Sequence, residues 1–184
     1  MAAGFFIFII ALLFHRELFL ASLLLTLRAQ PRSTETYAIE QRARGLRLPR
    51  LFVFDSFGAD ILSLGHLSRG SCFVRRELWD QLDSKEREAL LTWSTLTNQR
   101  FHPFRRLIGF FPILTIDRAC LLMAVQPIVL SSLLRKIFEF RKNYDTDSHL
   151  SGLGLLGPSW VTNWPPFDAR IKDINAQAAR LQSS

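Results

Sequence analysis

Residues 71–100 read SCFVRRELWDQLDSKEREALLTWSTLTNQR, and their pattern changes twice. Ser71 to Val74 is a short apolar run with the character of a strand. Arg76 to Leu82 then takes on helical spacing. Asp83 stands three residues before Glu86, the geometry of a capping box, so a second and longer helix opens there. That helix repeats Ala89, Leu90, Trp93 and Leu96 or Thr97 along one face, the stripe expected of a helix packed on a core. His102-Pro103 closes it, because the residue before a proline avoids helical torsions. A strand followed by two successive helices segregates helices from sheet and predicts an α+β arrangement.

Outward from this segment, Arg50 to Phe54 (RLFVF) predicts a strand ending in the turn-rich Asp55-Ser56-Phe57-Gly58. Ile61 to Leu64 predicts another, separated from Ser71 by the turn Ser68-Arg69-Gly70. Residues 33–44 predict a helix with Ser33 or Thr34 as N-cap and Gly45 as its stop. The apolar stretch from Leu107 to Phe140 is broken at Asp117-Arg118 and at Gln126-Pro127. It predicts two buried or half-buried helices, Pro127 taking the first position of the second, with a second membrane span as the competing reading. Residues 148–159 are a Gly/Ser loop. A last helix starts near Pro166 and aligns Ile171, Ile174, Ala178 and Leu181. The expected fold is thus a small, mainly antiparallel sheet packed on helices, with an apolar helix at the N-terminus.

The chain of 184 residues is long enough for one domain with a sizeable core. Its hydrophobic fraction of 48% and charged fraction of 21% exclude disorder and a purely membrane-embedded chain. Two cysteines, Cys72 and Cys120, exclude a disulfide scaffold and a cysteine-based zinc site. The net charge of +7 is carried by 19 Arg against 4 Lys. Six of these arginines, from Arg28 to Arg50, alternate with Glu35 and Glu40 and lack an aromatic-interleaved stripe, so they read as a solvated or headgroup-facing surface; no nucleic-acid partner is expected.

Residues 4–27, GFFIFIIALLFHRELFLASLLLTL, match the ~20 residues needed to span a bilayer as a helix. Sixteen Leu, Ile and Phe residues contribute roughly −5 to −10 kcal/mol on an insertion scale. Arg16 and Glu17 at the centre cost about 5–7 kcal/mol. Insertion is near break-even, and adjacent residues project about 100° apart, so the two charges do not pair with each other. They call for complementary groups on another polypeptide. A spanning anchor is the favoured placement. A helix buried in a membrane or oligomer interface competes with it, and a cleaved leader is disfavoured by the lack of a charged n-region and a small-residue cleavage site. We therefore divide the chain into an anchor, 1–30, and a domain, 31–184. Six arginines from Arg28 to Arg50 follow the apolar residues 4–27, which places the domain on the cytoplasmic, stromal or matrix side.

Five segments in order carry a resemblance: RGLRLPRLFVFDS, ILSLG, CFVRRELWDQLDSKEREALLTW, IDRACLLMAVQP and TNWPPFDARIKDI. Together they resemble the HtpX and CAAX-prenyl endopeptidase family of zinc metallopeptidases, over roughly Thr34 to Leu181. In that family a helix bears HExxH, whose two histidines bind zinc while the glutamate activates water. The matching positions here read Trp93-Ser94-Thr95-Leu96-Thr97. Trp93 and Thr97 replace the two histidines and Ser94 replaces the general base. The third ligand falls at Ile113, and the histidine of the terminal block at Trp164. Indole and isoleucine do not ligate zinc, and a neutral serine does not take up a proton as a carboxylate does.

No metal and no cofactor are therefore expected. His66, His102 and His149 read as surface or hydrogen-bonding residues, and Asp145 and Asp147 as solvated loop acids. The tryptophans are open to two readings, a hydrophobic groove or, for Trp93 and Trp164, filling of the volume left by zinc. Asp117-Arg118 matches a pair that supports the site helix in the family, and here it reads as a buried or half-buried ion pair with neighbours. The edge strand Ile61, Leu62, Ser63, Leu64 and Gly65 corresponds to the one along which a peptide is laid, and it keeps the backbone groups needed for strand addition. The resemblance implies a non-catalytic, membrane-attached binding or scaffolding subunit, with membrane lipid and other protein subunits as partners and no small-molecule substrate. The rival is a membrane-bound zinc endopeptidase-type hydrolase with a relocated site.

Overall fold

A computed structural model describes residues 24–34, 36–37, 45–55, 60–64, 70–100, 113–144 and 166–182. Strands β1 (Gln30–Arg32), β2 (Arg50–Phe54), β3 (Ile61–Leu64) and β4 (Ser71–Arg75) precede helices α1 (Arg76–Gln81), α2 (Ser84–Arg100), α3 (Ile113–Leu122), α4 (Pro127–Tyr144) and α5 (Phe167–Gln182). The architecture is α+β, as expected. Of the helix predicted over 33–44, Thr36 and Tyr37 are helical, and Glu35 and residues 38–44 lie outside the described residues; Gly45 has φ +70°, in the left-handed region that favours glycine.

The sheet is mixed. Its order is β1-β2-β4-β3, with β1 and β3 antiparallel to their neighbours and the central pair β2 and β4 parallel. Two of the three pairings are antiparallel, as a mainly antiparallel sheet has them, and the parallel central pair is the departure. The reason lies in burial. Leu51, Val53, Cys72 and Val74 pack beneath the helices, while Phe52, Phe54 and Phe73 pack on the opposite face. A parallel pair suits strands buried on both faces, which read as continuous apolar runs. Phe52 and Phe73 lie opposite each other in register and stack with centroids 4.9 Å apart.

The outer face is closed in part by the end of the N-terminal segment. Leu27 is buried among Phe52, Phe54, Leu62 and Phe73, with Leu24 and Ala29 beside it. Leu24 to Thr26 are helical. The Ala29 amide donates to Leu24 O at 3.1 Å and the Arg28 amide to Leu25 O at 3.3 Å, with Arg28 at φ +48°. This is a Schellman end whose left-handed position holds arginine instead of the usual glycine. The boundary drawn at residue 30 falls inside the β1 pairing segment, so the last turn of the apolar segment belongs to the folded unit. Residues 1–23 lie outside the described residues, and no described helix is long and apolar enough to cross a membrane.

The capping box forms as the spacing predicts. The Glu86 amide donates to Asp83 Oδ1 and the Asp83 amide to Glu86 Oε2, both at 2.9 Å. Glu86 is buried and also accepts from Ser132 Oγ and Lys136 Nζ, each at 2.7 Å. One carboxylate thus starts α2 and fastens it to α4. Helix α4 begins at Pro127 and buries Leu130, Leu133, Leu134, Ile137 and Phe140. Its last turn reaches the sheet through Arg141, which donates to the buried Asp60 at 2.6 and 3.0 Å, while Asp60 Oδ1 caps the Ile61 amide at 2.7 Å. The start of β3 is held in place by that ion pair.

Asp117-Arg118 does not interrupt the helical run. Both residues lie inside α3, because each charge finds a partner on α5. The real break is a second Schellman end. The Val125 amide donates to Cys120 O and the Ala124 amide to Leu121 O, both at 3.1 Å, with Ala124 at φ +61°.

Candidate functional site

Helix α2 packs on β3 and β4 on one side and on α3 and α4 on the other. Consecutive residues point about 100° apart on a helix, so Trp93 and Ser94 serve different neighbours. Trp93 is fully buried. Its Nε1 donates to Asp117 Oδ1 at 3.3 Å. Arg170 grips the same carboxylate with two parallel bonds, Nε to Oδ2 and Nη2 to Oδ1, each 2.8 Å. Asp117 and Arg170 are both about 1% exposed. The arrangement is a buried indole–carboxylate–guanidinium triad joining α2, α3 and α5.

A second pair lies one residue along. Arg118 donates to Asp173 at 3.0 and 2.6 Å on the outside of the same two helices. The Arg118 hydrogen bonds hold the Asp173 carboxyl below its usual range, opposed by partial burial and aided by Gln177 and Arg180. The sign for stability follows directly. A depressed carboxyl pKa stabilises the fold above the ordinary Asp range and loses that contribution as pH falls through the depressed value. Asp173→Asn is therefore expected to lower stability at pH 7 and to match the unmodified chain in strong acid. Chemical unfolding of the full chain in mild detergent at both pH values checks this. A constant difference at both would assign the effect to packing.

Ser94 turns toward the edge strand. Its hydroxyl lies 2.7 Å from Ser63 Oγ, Ser63 Oγ donates to Asn98 Oδ1 at 3.0 Å, and Asn98 Nδ2 donates to Ser94 Oγ at 3.4 Å. These three side chains close a small ring of hydrogen bonds between α2 and β3. Asn98 rests on Gly70, where a Cβ would stand 2.1 Å from its amide nitrogen. Glycine is required at 70 for this close approach. Thr97 is fully buried with its hydroxyl unsatisfied by any hydrogen bond. A buried, unmet hydroxyl costs about 1–3 kcal/mol.

The sequence-derived positions thus separate into two groups. Trp93 faces α3 and α5 through Asp117, whereas Ser94 faces β3. Ile113 is the first residue of α3, while Gly65, Trp164, Arg16 and Glu17 lie outside the described residues. β3 is an edge of the sheet, bonded to β4 alone among the described strands, with Ile61, Leu62 and Ser63 buried. The Ser63–Ser94–Asn98 ring was not visible in the sequence, since nothing in the spacing links residues 31 and 35 positions apart. The partner of Asp117 was equally hidden, although Arg170 stands in the terminal block quoted above.

Chemically the site offers hydroxyls, an amide and a neutral indole. Among the described residues no group of three or more His, Cys, Asp or Glu is placed to hold a metal ion; the four histidines lie outside them. The carboxylate bonded to Trp93, Asp117, is also occupied by Arg170. No family model, curated protein or solved structure matches this chain.

Proposed function

We propose that this protein is a non-catalytic, peptidase-like binding or scaffolding subunit held at a membrane by its N-terminal apolar segment. One observation carries the reading. At the position matching the first zinc ligand stands a fully buried tryptophan, bonded to an Asp–Arg pair, so the space next to the motif helix is filled by side chains. What remains for recognition is the edge strand β3, whose backbone accepts an extended peptide without any metal.

The test is metal analysis of the purified full chain together with an assay on an unstructured polypeptide. Neither stoichiometric zinc nor cleavage is expected. Zinc that a chelator removes together with activity overturns the reading. The triple change Trp93→His, Ser94→Glu and Thr97→His is expected to remain inactive, because Ile113 withholds the third ligand. Robust cleavage by that variant would show the third ligand to lie elsewhere.

The subunit part of the reading rests on Arg16 and Glu17, whose central charges want partners on another chain. Replacing both by leucine is expected to retain the protein in the membrane but release it from its assembly. Detergent-solubilised unmodified and variant proteins are compared by size on a native gel. If both migrate as the same small monomer, the subunit reading fails and Arg16 snorkels to the headgroups.

A further inference from the structure

Beyond the anchor itself, the chain carries an exposed basic edge. Arg28, Arg32, Arg47 and Arg50 are all exposed and none forms an ion pair with a described residue. Arg28 occupies the left-handed position that ends the helical turn Leu24–Thr26, and Arg32 closes β1 opposite Leu51, next to Arg50 on β2. Between residues 24 and 54 the sequence holds six arginines against two glutamates, Glu35 and Glu40. A sheet edge needs some protection against pairing with another chain. Here β1 is three residues long and contains Pro31, which already supplies it. The arginines exceed that need.

Continuity with the apolar segment selects the partner. Leu24 and Leu27 turn toward the sheet, whereas Leu25 in the same last turn is 80% exposed. An outward leucine followed within three residues by an exposed arginine is the order met on passing from acyl chains to headgroups. We infer that the β1 edge, through Arg28, Arg32 and Arg50, docks on an anionic bilayer surface and fixes the orientation of the domain on its membrane. The inference rests on the anchoring role proposed above and adds the lipid class and the contacting face. Each arginine near an anionic leaflet contributes about fivefold to partition, decaying within a Debye length. Rigid attachment makes the effect orientational, because β1 is paired to β2 and the helix end is buried on the outer face of the sheet.

The full chain carrying Ser33→Cys, labelled there with a fluorophore, tests this. Cys72 and Cys120 are buried and remain unlabelled. The protein is reconstituted into phosphatidylcholine vesicles and into vesicles that also contain phosphatidylglycerol, each with a headgroup-bearing quencher lipid. Quenching is expected to be several-fold stronger in the anionic vesicles. It is expected to fall to the neutral level in high salt, or after Arg32→Glu and Arg50→Glu together. The salt arm needs no substitution, so a folding defect in the variant does not decide the matter. Equal quenching in both vesicle types, with the chain still floating with lipid, overturns the inference and leaves the anchor reading intact. Failure to float at all removes both. Preference for a short nucleic-acid duplex over the anionic vesicles at the same salt also overturns it.

Discussion

Trp93→Ala is expected to destabilise the protein by about 3–5 kcal/mol, the range for deleting a large buried aromatic side chain. The indole is completely buried and is one of the largest such side chains in the described core. Its removal leaves a void where α2 meets α3. It also takes the Nε1 donor from Asp117, a carboxylate that has no access to water to replace it. Trp93→Phe separates the two losses. It keeps much of the volume but still deletes the donor, so about 1–3 kcal/mol is expected. Denaturant titration of the full chain in mild detergent, followed by far-UV circular dichroism, measures both. A loss below about 1 kcal/mol, coupled to weaker partner binding, would make Trp93 a recognition residue.

The same residue shows what was legible in the sequence. The Trp93 stripe, the Asp83–Glu86 box, the three longer strands and the Pro127 start each announce themselves through local spacing or local chemistry. All of them appear in the structure. β1 left no such mark. Its residues Gln30, Pro31 and Arg32 are exposed, so no apolar alternation betrays it, and it exists because β2 offers a free edge. Strand direction was hidden for a related reason. RLFVF and SCFVR report burial on both faces, yet only the placement of β4 between β2 and β3 makes the central pair parallel.

Charged residues inside apolar stretches carry no local mark of their partners. Asp117 looked like an interruption of a helical run because a buried carboxylate is prohibitive alone. It is tolerated 53 positions before its cation, and no periodicity reports a distance of that kind. Nothing in the segments Ile116 to Pro127 and Thr162 to Ile174 states what joins them. The structure brings them together through two ion pairs whose polarity is reversed, Asp117 with Arg170 and Arg118 with Asp173. Reversal matters because shifting α5 along α3 would set like charges against each other, so the two pairs fix a single register.

The two pairs should nevertheless differ greatly in energy. Arg118 is about half exposed, and its pair is screened by water and salt. The Asp117–Arg170 pair is shut away from solvent. Desolvation of both ions offsets much of their attraction, so the intact pair adds little net stability compared with well-packed apolar groups. Breaking it is another matter, since the surviving charge stays buried without a counterion. Arg170→Met is therefore expected to cost about 3–5 kcal/mol, and Asp117→Leu a similar amount. Combining the two should cost far less than their sum, because no buried charge remains in the double variant. A double-mutant cycle on the full chain reads the coupling directly, and a value of about 2 kcal/mol or more is expected. The corresponding cycle on Arg118 and Asp173 should give a smaller coupling that shrinks as salt is raised. Additive single effects at Asp117 and Arg170 would mean that water reaches the pair. In that case α5 would be held to α3 by Ile174 and its apolar neighbours and not by the buried fork.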